Sequence, residues 1–370
     1  RQPGSSFKPY IYTAALADGM TAATMINDAP VVVADQQLED VWRPENYERE
    51  FHGPTRLRYA LVHSLNLVTI RVLRRMGIDY ALNFMQRFGF DPKQLPRNLT
   101  LALGSANLTP LQMARGYATI ANGGFLIEPY FIQRIVDSTT GRTVYEADPA
   151  VACDACTADD NGTVPAAVAD RVSPPVSVTE PVSAPLPASA APLAPTVNVA
   201  ASTRPARIAR RTLDPQDDYI IQSMMRDVIQ HGTGRRALSL HRGDLAGKTG
   251  TSNDWNNAWF GGFNANLLTI AYVGFDQVQT LGFGETGARA ALPIWINFMG
   301  PALKGVPEMP FIQPPGLVTV KIDSQTGLRA PSGDPHAMFE VFRVGHLPPA
   351  APVTGSVQPQ LAPLGSGEQR

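Results

Sequence analysis

Lysine is scarce in this 370-residue sequence: of 31 basic residues only five are lysines, at positions 8, 93, 248, 304 and 321. The rest are arginines, whose guanidinium holds its proton too tightly to act as a base near neutral pH. Proton chemistry that depends on a lysine therefore has five places to occur. Charge of either sign is also sparse, at 17% of residues with a formal net charge of -1. That excludes the dense positive field needed to hold a nucleic acid or an anionic membrane surface, and no nucleic-acid partner is expected. No stretch approaches the roughly 18 consecutive apolar residues of a membrane-spanning helix, and no signal-peptide pattern is present.

Cysteine occurs twice, as Cys153 and Cys156 in "CDAC". A zinc site would need two further ligands nearby, and the six histidines are scattered, so no metal and no cofactor are expected. A small local disulfide in an oxidising compartment is the better reading. The chain opens "RQPGSSFKPYIYTAAL" without an initiator Met, so residue 1 is not expected to be a natural start.

Proline, by contrast, is concentrated. Seven prolines fall between Ser173 and Pro195, with almost no charge and no aromatic ring among them. Such a composition cannot bury enough apolar surface to offset its ordering entropy, and 151–206 reads as a disordered Pro/Ala-rich insertion. Residues 343–370 read as a disordered tail of the same kind. Two structured blocks remain, 1–150 and 207–342, which must pack together if they share a site.

The first block is mostly helical. "LRYALVH" and "LVTIRVLRRMG" flank Ser64 with apolar residues at three and four spacing, and Gly77 is a stop. Farther on, Ile78, Ala81, Leu82, Met85 and Phe88 line one face. Thr109 caps a helix that has Pro110 in its first turn and closes at Gly123. The second block starts with a helix in "DDYIIQSMMRDVIQHGTG" and continues as short β runs, "DLAGKTGTS", "NAWFGGF" and "NLLTIAYVGFD". "GLVTVKIDSQTGLRA" reads as a hairpin or strand pair with a turn at Gln325 to Gly327. Helices first and antiparallel strands later point to an α+β fold.

Three short stretches carry chemistry. Ser5 and Lys8 are three apart, so on a helix they share a face, and a neutral Lys8 amine could take the proton that keeps a serine hydroxyl from being a nucleophile. Pro9 lacks an N–H that the first turn would use, a local conflict of the sort found where function overrides regularity. Ser64 and Asn66 sit at the break between two helical runs, where the hydroxyl can relay a proton and the carboxamide can hold a peptide amide. In "GKTGTS", a strand places Lys248 and Gly250 on one face and Thr249 and Thr251 on the other. Gly250 would let a ligand backbone lie close, while lysine and threonine hydroxyls suit a carboxylate. Taken singly, each stretch reads as readily as a cap, a turn or an edge strand. In order along one chain they describe acyl transfer from a peptide-like substrate with a free carboxylate.

At these residues the chain resembles the penicilloyl-serine transferase superfamily, whose S-x-x-K, S-x-N and K-T-G motifs they match. Over about 10–150 and 207–335 it is similar to the transpeptidase domain of class A, bifunctional penicillin-binding proteins, of the 1A type of Gram-negative bacteria. The stretches "ALVHSLNLVTIRVL", "LALGSANLTPLQMARGYATIANGG", "MMRDVIQHGTGRRA" and "VTVKIDSQTGLRAPSG" carry that likeness.

The resemblance implies an antiparallel sheet flanked by helices plus a helical subdomain. It also implies a D,D-transpeptidase that cross-links peptidoglycan stem peptides ending in D-Ala-D-Ala and is acylated by β-lactams. Ser5 would be the nucleophile, Lys8 its base, Ser64 a proton carrier and Asn66 the holder of the substrate amide. Lys248 would add positive potential, Thr249 and Thr251 would bind the terminal carboxylate, and the backbone N–H groups of Ser5 and Thr251 would form the oxyanion hole. Where this class often has Asp, the chain has Asn257, so a charge contact there is not expected.

The resemblance further implies an N-terminal membrane anchor, a glycosyltransferase domain and a first sheet segment ahead of Ser5. These would place the parent protein on the periplasmic face of the inner membrane, in a cell-wall synthesis complex or a dimer, and would leave an open sheet edge in this chain. A D,D-carboxypeptidase and a serine β-lactamase share the three motifs, and a non-catalytic penicillin-binding fragment or sensor shares the fold. The motifs alone leave these alternatives open.

Overall fold

The computed structural model describes residues 1–34, 41–153, 163–164 and 206–351. Most of the 151–206 insertion and all of the tail beyond 351 lie outside the described residues. The chain divides into two compact units, one formed by 1–126 with 211–370 and the other by 127–210. The division thus falls at 126 and 211 rather than at 150 and 207.

The first unit is built around a helix that is buried on every side. A 3₁₀ turn, Gly4–Phe7, leads into α1, Lys8–Ala17, of which all but the last residue are buried. The conflict expected at Pro9 does not arise. Because the regular helix starts only at Lys8, Pro9 lies in its first turn, where an N–H has no helical acceptor in any case. Aromatic rings close around the start of α1: Tyr10 stands 4.8 Å from Phe88, 5.0 Å from Phe90 and 5.6 Å from Tyr117, measured between ring centroids.

The strand pair β1, Met25–Asp28, and β2, Gly53–Arg56, precedes α2, Leu57–Val62. After a three-residue break come α3, Asn66–Met76, and α4, Ile78–Met85. α3 buries Leu67, Val68, Ile70, Leu73 and Met76 and leaves Arg74 and Arg75 in solvent. It ends at Gly77, whose φ of 85° suits glycine. α5, Pro110–Ala121, has the expected Thr109 cap, completed by a return bond from Gln112.

In the second unit β3, Arg134–Val136, pairs with β4, Thr143–Glu146. Val151 bridges Ile208, and Cys153 is disulfide-bonded, its only candidate in the sequence, Cys156, lying outside the described residues.

Returning to the first unit, α6, Pro215–Gln230, starts at an Asp214 side-chain cap. The antiparallel sheet follows as β5, Ala246–Thr251, β6, Asn257–Phe263, and β7, Leu268–Gly274, in that spatial order. β6 is buried throughout. A side chain added at Gly261 would strike Tyr117 of α5, and one at Gly262 would strike Trp295 of α7, Leu292–Ala302, so helices cover both faces. Among the described residues no strand pairs with the outer edge of β7.

The late hairpin differs in one respect from the sequence reading. The turn at Gln325 to Gly327 is present, with Ile322 bridging Arg329, but the long partner of β8, Leu317–Asp323, is β9, Ala337–Arg343. Alternation explains the choice: Ile322 and Phe342 turn inward onto Ala23. Order also continues past 342, since Ala351 N–H donates to the Arg329 carbonyl.

β9 also carries the buried Glu340. Its carboxylate takes two bonds from Arg58 of α2, at 2.7 and 2.6 Å, while Arg58 donates on to Asp227 of α6 at 2.9 Å. Removing one partner of such a pair strands the other charge. Glu340→Leu should cost about 3 to 5 kcal/mol, read as a lowered denaturation midpoint in urea, and Arg58→Met/Glu340→Leu should recover most of it. Equal stability of the single variant and the wild type would show that the pair clamps nothing.

Candidate active site

Ser5, Lys8, Ser64, Asn66 and Lys248 come from three separated segments that the fold brings against one another. Ser5 is the second residue of the 3₁₀ turn and Lys8 the first of α1. With three residues per 3₁₀ turn, positions i and i+3 eclipse, which sets the two side chains one above the other. The turn is held from two sides. Gly4 N–H donates to the Gly104 carbonyl at 3.2 Å, and the buried Tyr117 hydroxyl donates to the Ser6 carbonyl at 2.8 Å. Ser5 itself is half-buried, and its hydroxyl makes no hydrogen bond among the described residues.

Strand β5 lies directly against this turn. Gly4 has a φ of 56°, and a Cβ there would collide with the Thr251 carbonyl. A Cβ at Gly250 would collide with the Pro3 carbonyl and come within 2.7 Å of Ser6 Oγ. The missing side chain at Gly250, expected to let a ligand backbone lie close, also admits the backbone of the turn that carries Ser5.

Ser64 occupies the break between α2 and α3 with a φ of 59°, a conformation that costs a non-glycine residue on the order of 1 to 3 kcal/mol. This strain aims both its carbonyl and its hydroxyl at lysines. Lys8 Nζ donates to the Ser64 carbonyl at 2.7 Å and to Asn66 Oδ1 at 2.7 Å, with Ser64 Oγ at 3.5 Å. Lys248 Nζ donates to the same Ser64 Oγ at 2.8 Å and to the Thr249 carbonyl at 2.9 Å.

Both lysine side chains are fully buried. Burial pushes Lys8 well below the usual lysine range and the charge on Lys248 adds to that, while Asp28 acts in the opposite sense. Burial alone brings Lys248 down to about 7. Two ammonium groups sharing one hydroxyl stand at most about 6 Å apart, where like charges repel by roughly 3 kcal/mol at an effective dielectric of about 20. The pair therefore resists holding two protons at once.

Asn66 Oδ1 accepts from Lys8, and its Nδ2 donates to the Glu45 carbonyl at 2.8 Å. These bonds use one lone pair of Oδ1 and one hydrogen of Nδ2, and they fix the carboxamide against the lysine. The Thr251 hydroxyl accepts from Gly287 N–H at 3.0 Å. Its backbone N–H faces the turn carrying Ser5, because Ser252 N–H bonds to the Asn257 carbonyl and alternation along the ladder turns the preceding N–H away from β6. Ser5 N–H, at the start of a helical turn, likewise lacks a helical acceptor. Asn257 is satisfied without charge, donating to Ser252 Oγ at 3.1 Å and accepting from the Tyr272 hydroxyl at 3.0 Å.

Two contributions escaped the sequence reading. Thr233, in the loop after α6, sets its hydroxyl 2.6 Å from that of Thr249, adding a second hydroxyl beside the expected carboxylate binder. Asp28 and Asn46 stand behind Asn66 and Lys8. Thr233 lies within the family-like stretch "MMRDVIQHGTGRRA", where no local spacing marks it as a site residue, while Asp28 and Asn46 come from a strand end and a loop whose positions only folding sets. Among the described residues no cluster of three or more His, Cys, Asp or Glu could hold a metal ion.

Comparison with known proteins identifies the family. The family model described as "Penicillin binding protein transpeptidase domain" matches residues 1–284. Penicillin-binding protein 1A of Pseudomonas aeruginosa is 47% identical over 356 residues, covering 95% of this chain and 42% of that protein. Its Escherichia coli counterpart is 38% identical over 367 residues, covering 90% of this chain and 42% of that protein. The chain therefore spans less than half the length of these relatives.

The crystal structure of penicillin-binding protein 1A from Haemophilus influenzae superposes with a TM-score of 0.78 at 37% identity, over 95% of this chain and 49% of that one. Penicillin-binding protein A of Mycobacterium tuberculosis, solved as an imipenem acyl-enzyme, shares the fold with a TM-score of 0.53 at 20% identity, over 82% of this chain and 60% of that one. With a match over most of its length and 1A-type relatives on either measure, the chain belongs to the penicillin-binding protein transpeptidases.

Proposed function

We propose that the chain cross-links peptidoglycan stem peptides through an acyl-enzyme on Ser5, and that β-lactams acylate the same serine. The observation that carries this reading is the unbroken run of contacts from Asn66 Oδ1 through Lys8 Nζ and Ser64 Oγ to Lys248 Nζ. It joins all three segments with both lysines shielded from water.

A neutral Lys8 has two hydrogens, and the Ser64 carbonyl and Asn66 Oδ1 accept both. Its lone pair is then left for the Ser5 proton. Ser5 Oγ attacks the carbonyl carbon of the penultimate D-Ala, and its proton passes to Lys8. The N–H groups of Ser5 and Thr251 stabilise the oxyanion; losing one such donor typically costs about 100-fold to 1,000-fold in rate. As the C–N bond breaks, the departing D-Ala nitrogen takes a proton by way of Ser64, which returns Lys8 to its neutral form. The amine of a second stem peptide attacks the ester by the reverse path, forming the cross-link and restoring Ser5. Lys248 as an ammonium, with Thr249, Thr233 and Thr251, holds the terminal carboxylate. The parent protein would also carry a glycosyltransferase and work on the periplasmic face of the inner membrane, as its similarity to 1A-type proteins supports.

Intact mass after incubation with benzylpenicillin should show one penicilloyl adduct that is slow to hydrolyse, and none on Ser5→Ala. Rapid turnover of the adduct would point to a β-lactamase instead, and products formed with water alone in the presence of an amine acceptor would point to a carboxypeptidase.

The pH dependence should be two-sided. Acylation falls on the acid side as Lys8 gains a proton and can no longer act as base. On the alkaline side it falls as Lys248 loses its charge, from about 7 upward in the empty site, and at higher pH once a bound carboxylate stabilises the ammonium. Lys248→Arg cannot lose its proton in this range and should flatten the alkaline limb. A wild-type rate constant that stays level between pH 7 and 10 would refute this assignment of roles.

A further inference from the structure

Behind Asn66 lies a buried polar group that none of the three motifs includes. Asp28, at the end of β1, is fully buried. Its carboxylate accepts from Asn46 Nδ2 at 2.9 Å to each oxygen and from His52 N–H at 3.0 Å, with His52 Nδ1 2.8 Å away. Asn46 is buried as well and faces both ways. While its Nδ2 serves Asp28 and the Glu50 carbonyl, the latter at 2.9 Å, its Oδ1 accepts from Asn66 N–H at 2.8 Å and Leu67 N–H at 3.2 Å.

Those two N–H groups open α3. The residue in the capping position is Leu65, which has no side chain able to cap. Asn46 performs the capping from 20 residues away along the chain, satisfying donors that the helix leaves orphaned.

We infer that Asn46, held by Asp28, is a positioning residue for acylation: it fixes the first turn of α3, and through Asn66 and the strained Ser64 it sets where the Lys8 amine stands. The chain of contacts is continuous, from Asp28 to Asn46, to the Asn66 backbone, and from the Asn66 side chain to Lys8. Asn46 touches no reacting atom, so its effect is on geometry. An error of about 1 Å in a reacting group can cost on the order of 100-fold. Burial also makes the arrangement all-or-none, because a donor or acceptor left over in this environment has no water to turn to.

The assignment rests on the acyl-enzyme reading above, and exchanging donor and acceptor tests it. Asn46→Asp keeps the acceptor for α3 but sets a carboxylate against Asp28. Asp28→Asn removes the acceptor that Asn46 Nδ2 needs. In Asp28→Asn/Asn46→Asp the donor and acceptor trade places and the contact between the two side chains is restored; the bond to the Glu50 carbonyl is given up, and the charge moves to the N-terminus of a helix, where it is favourable.

The limiting acylation rate and the half-saturating benzylpenicillin concentration would be measured for all four forms by time-resolved intact mass, with thermal unfolding followed by circular dichroism. Each single variant should lose about 10-fold to 100-fold in limiting rate with half-saturation within about threefold of wild type, and the double variant should recover at least about fivefold over either single.

Singles that acylate like wild type, or a double that loses the product of the two single losses, would overturn the assignment. If the singles do not fold, the double decides. Folded and acylating within about tenfold of wild type, it supports positioning; folded but slow, or unfolded, it reduces the pair to a stability role. If the wild type takes no adduct at Ser5, the acyl-enzyme reading falls first and this assignment with it. A wild-type adduct with indifferent variants removes this assignment alone.

Discussion

Two lysine heads buried within reach of one serine hydroxyl impose the condition that the rest of the molecule has to meet. Lys8 and Lys248 are both fully buried, and Ser64 Oγ lies between them. An ammonium without water needs acceptors on every hydrogen. Here the Ser64 carbonyl, Asn66 Oδ1 and the Thr249 carbonyl supply them. Repulsion between the heads and loss of hydration act in the same direction, favouring one protonated lysine and one neutral. That division is what the proposed acyl-enzyme chemistry would require: one amine free to take a proton and one charge available for a carboxylate.

Satisfying this condition explains features that are otherwise unrelated. Lys8 has to start a helix with no exposed face, so α1 is apolar on all sides and is walled by α3, α4 and α6 together with the rings around Tyr10. Lys248 has to reach Ser64 from a strand, so β5 must press against the 3₁₀ turn, which is possible only because Gly4 and Gly250 have no side chains. Ser64 has to present a carbonyl and a hydroxyl together, which a regular helix cannot do. The chain accepts a left-handed residue there and holds it between two anchored helices, α2 tied through Arg58 to Glu340 at the end away from Ser64 and α3 capped by Asn46 at the end next to it.

The sequence was most legible where chemistry and local periodicity coincide. Ser5 with Lys8, and the alternation in "GKTGTS", follow from spacing that a turn or a strand imposes on any neighbours. The helices around Ser64 and the Thr109 cap follow from patterns contained within a dozen residues. Elsewhere the deciding contact came from outside the local pattern. Pro9 reads as a conflict only without the 3₁₀ turn before it, which Gly104 and Tyr117 hold from far along the chain. Nothing local to Gly250 announces that Pro3 and Ser6 pack on it. β8 found its partner at 337–343 because burial of Ile322 and Phe342 outweighed the nearer turn.

Residue identity alone determined which chemical groups the chain can bring to a reaction. With five lysines in 370 residues, two of them next to hydroxyls in strand or helix spacing, the candidates for a base and a cation were nearly fixed before folding. Tertiary structure decided what each group is worth. Proton affinity, the occupation of Asn66 by Lys8 and Glu45, and the support of Asp28 and Asn46 all depend on which atoms exclude water from which others. Exclusion of water is a property of the packed interior, where segments hundreds of residues apart become neighbours, and no local pattern encodes it.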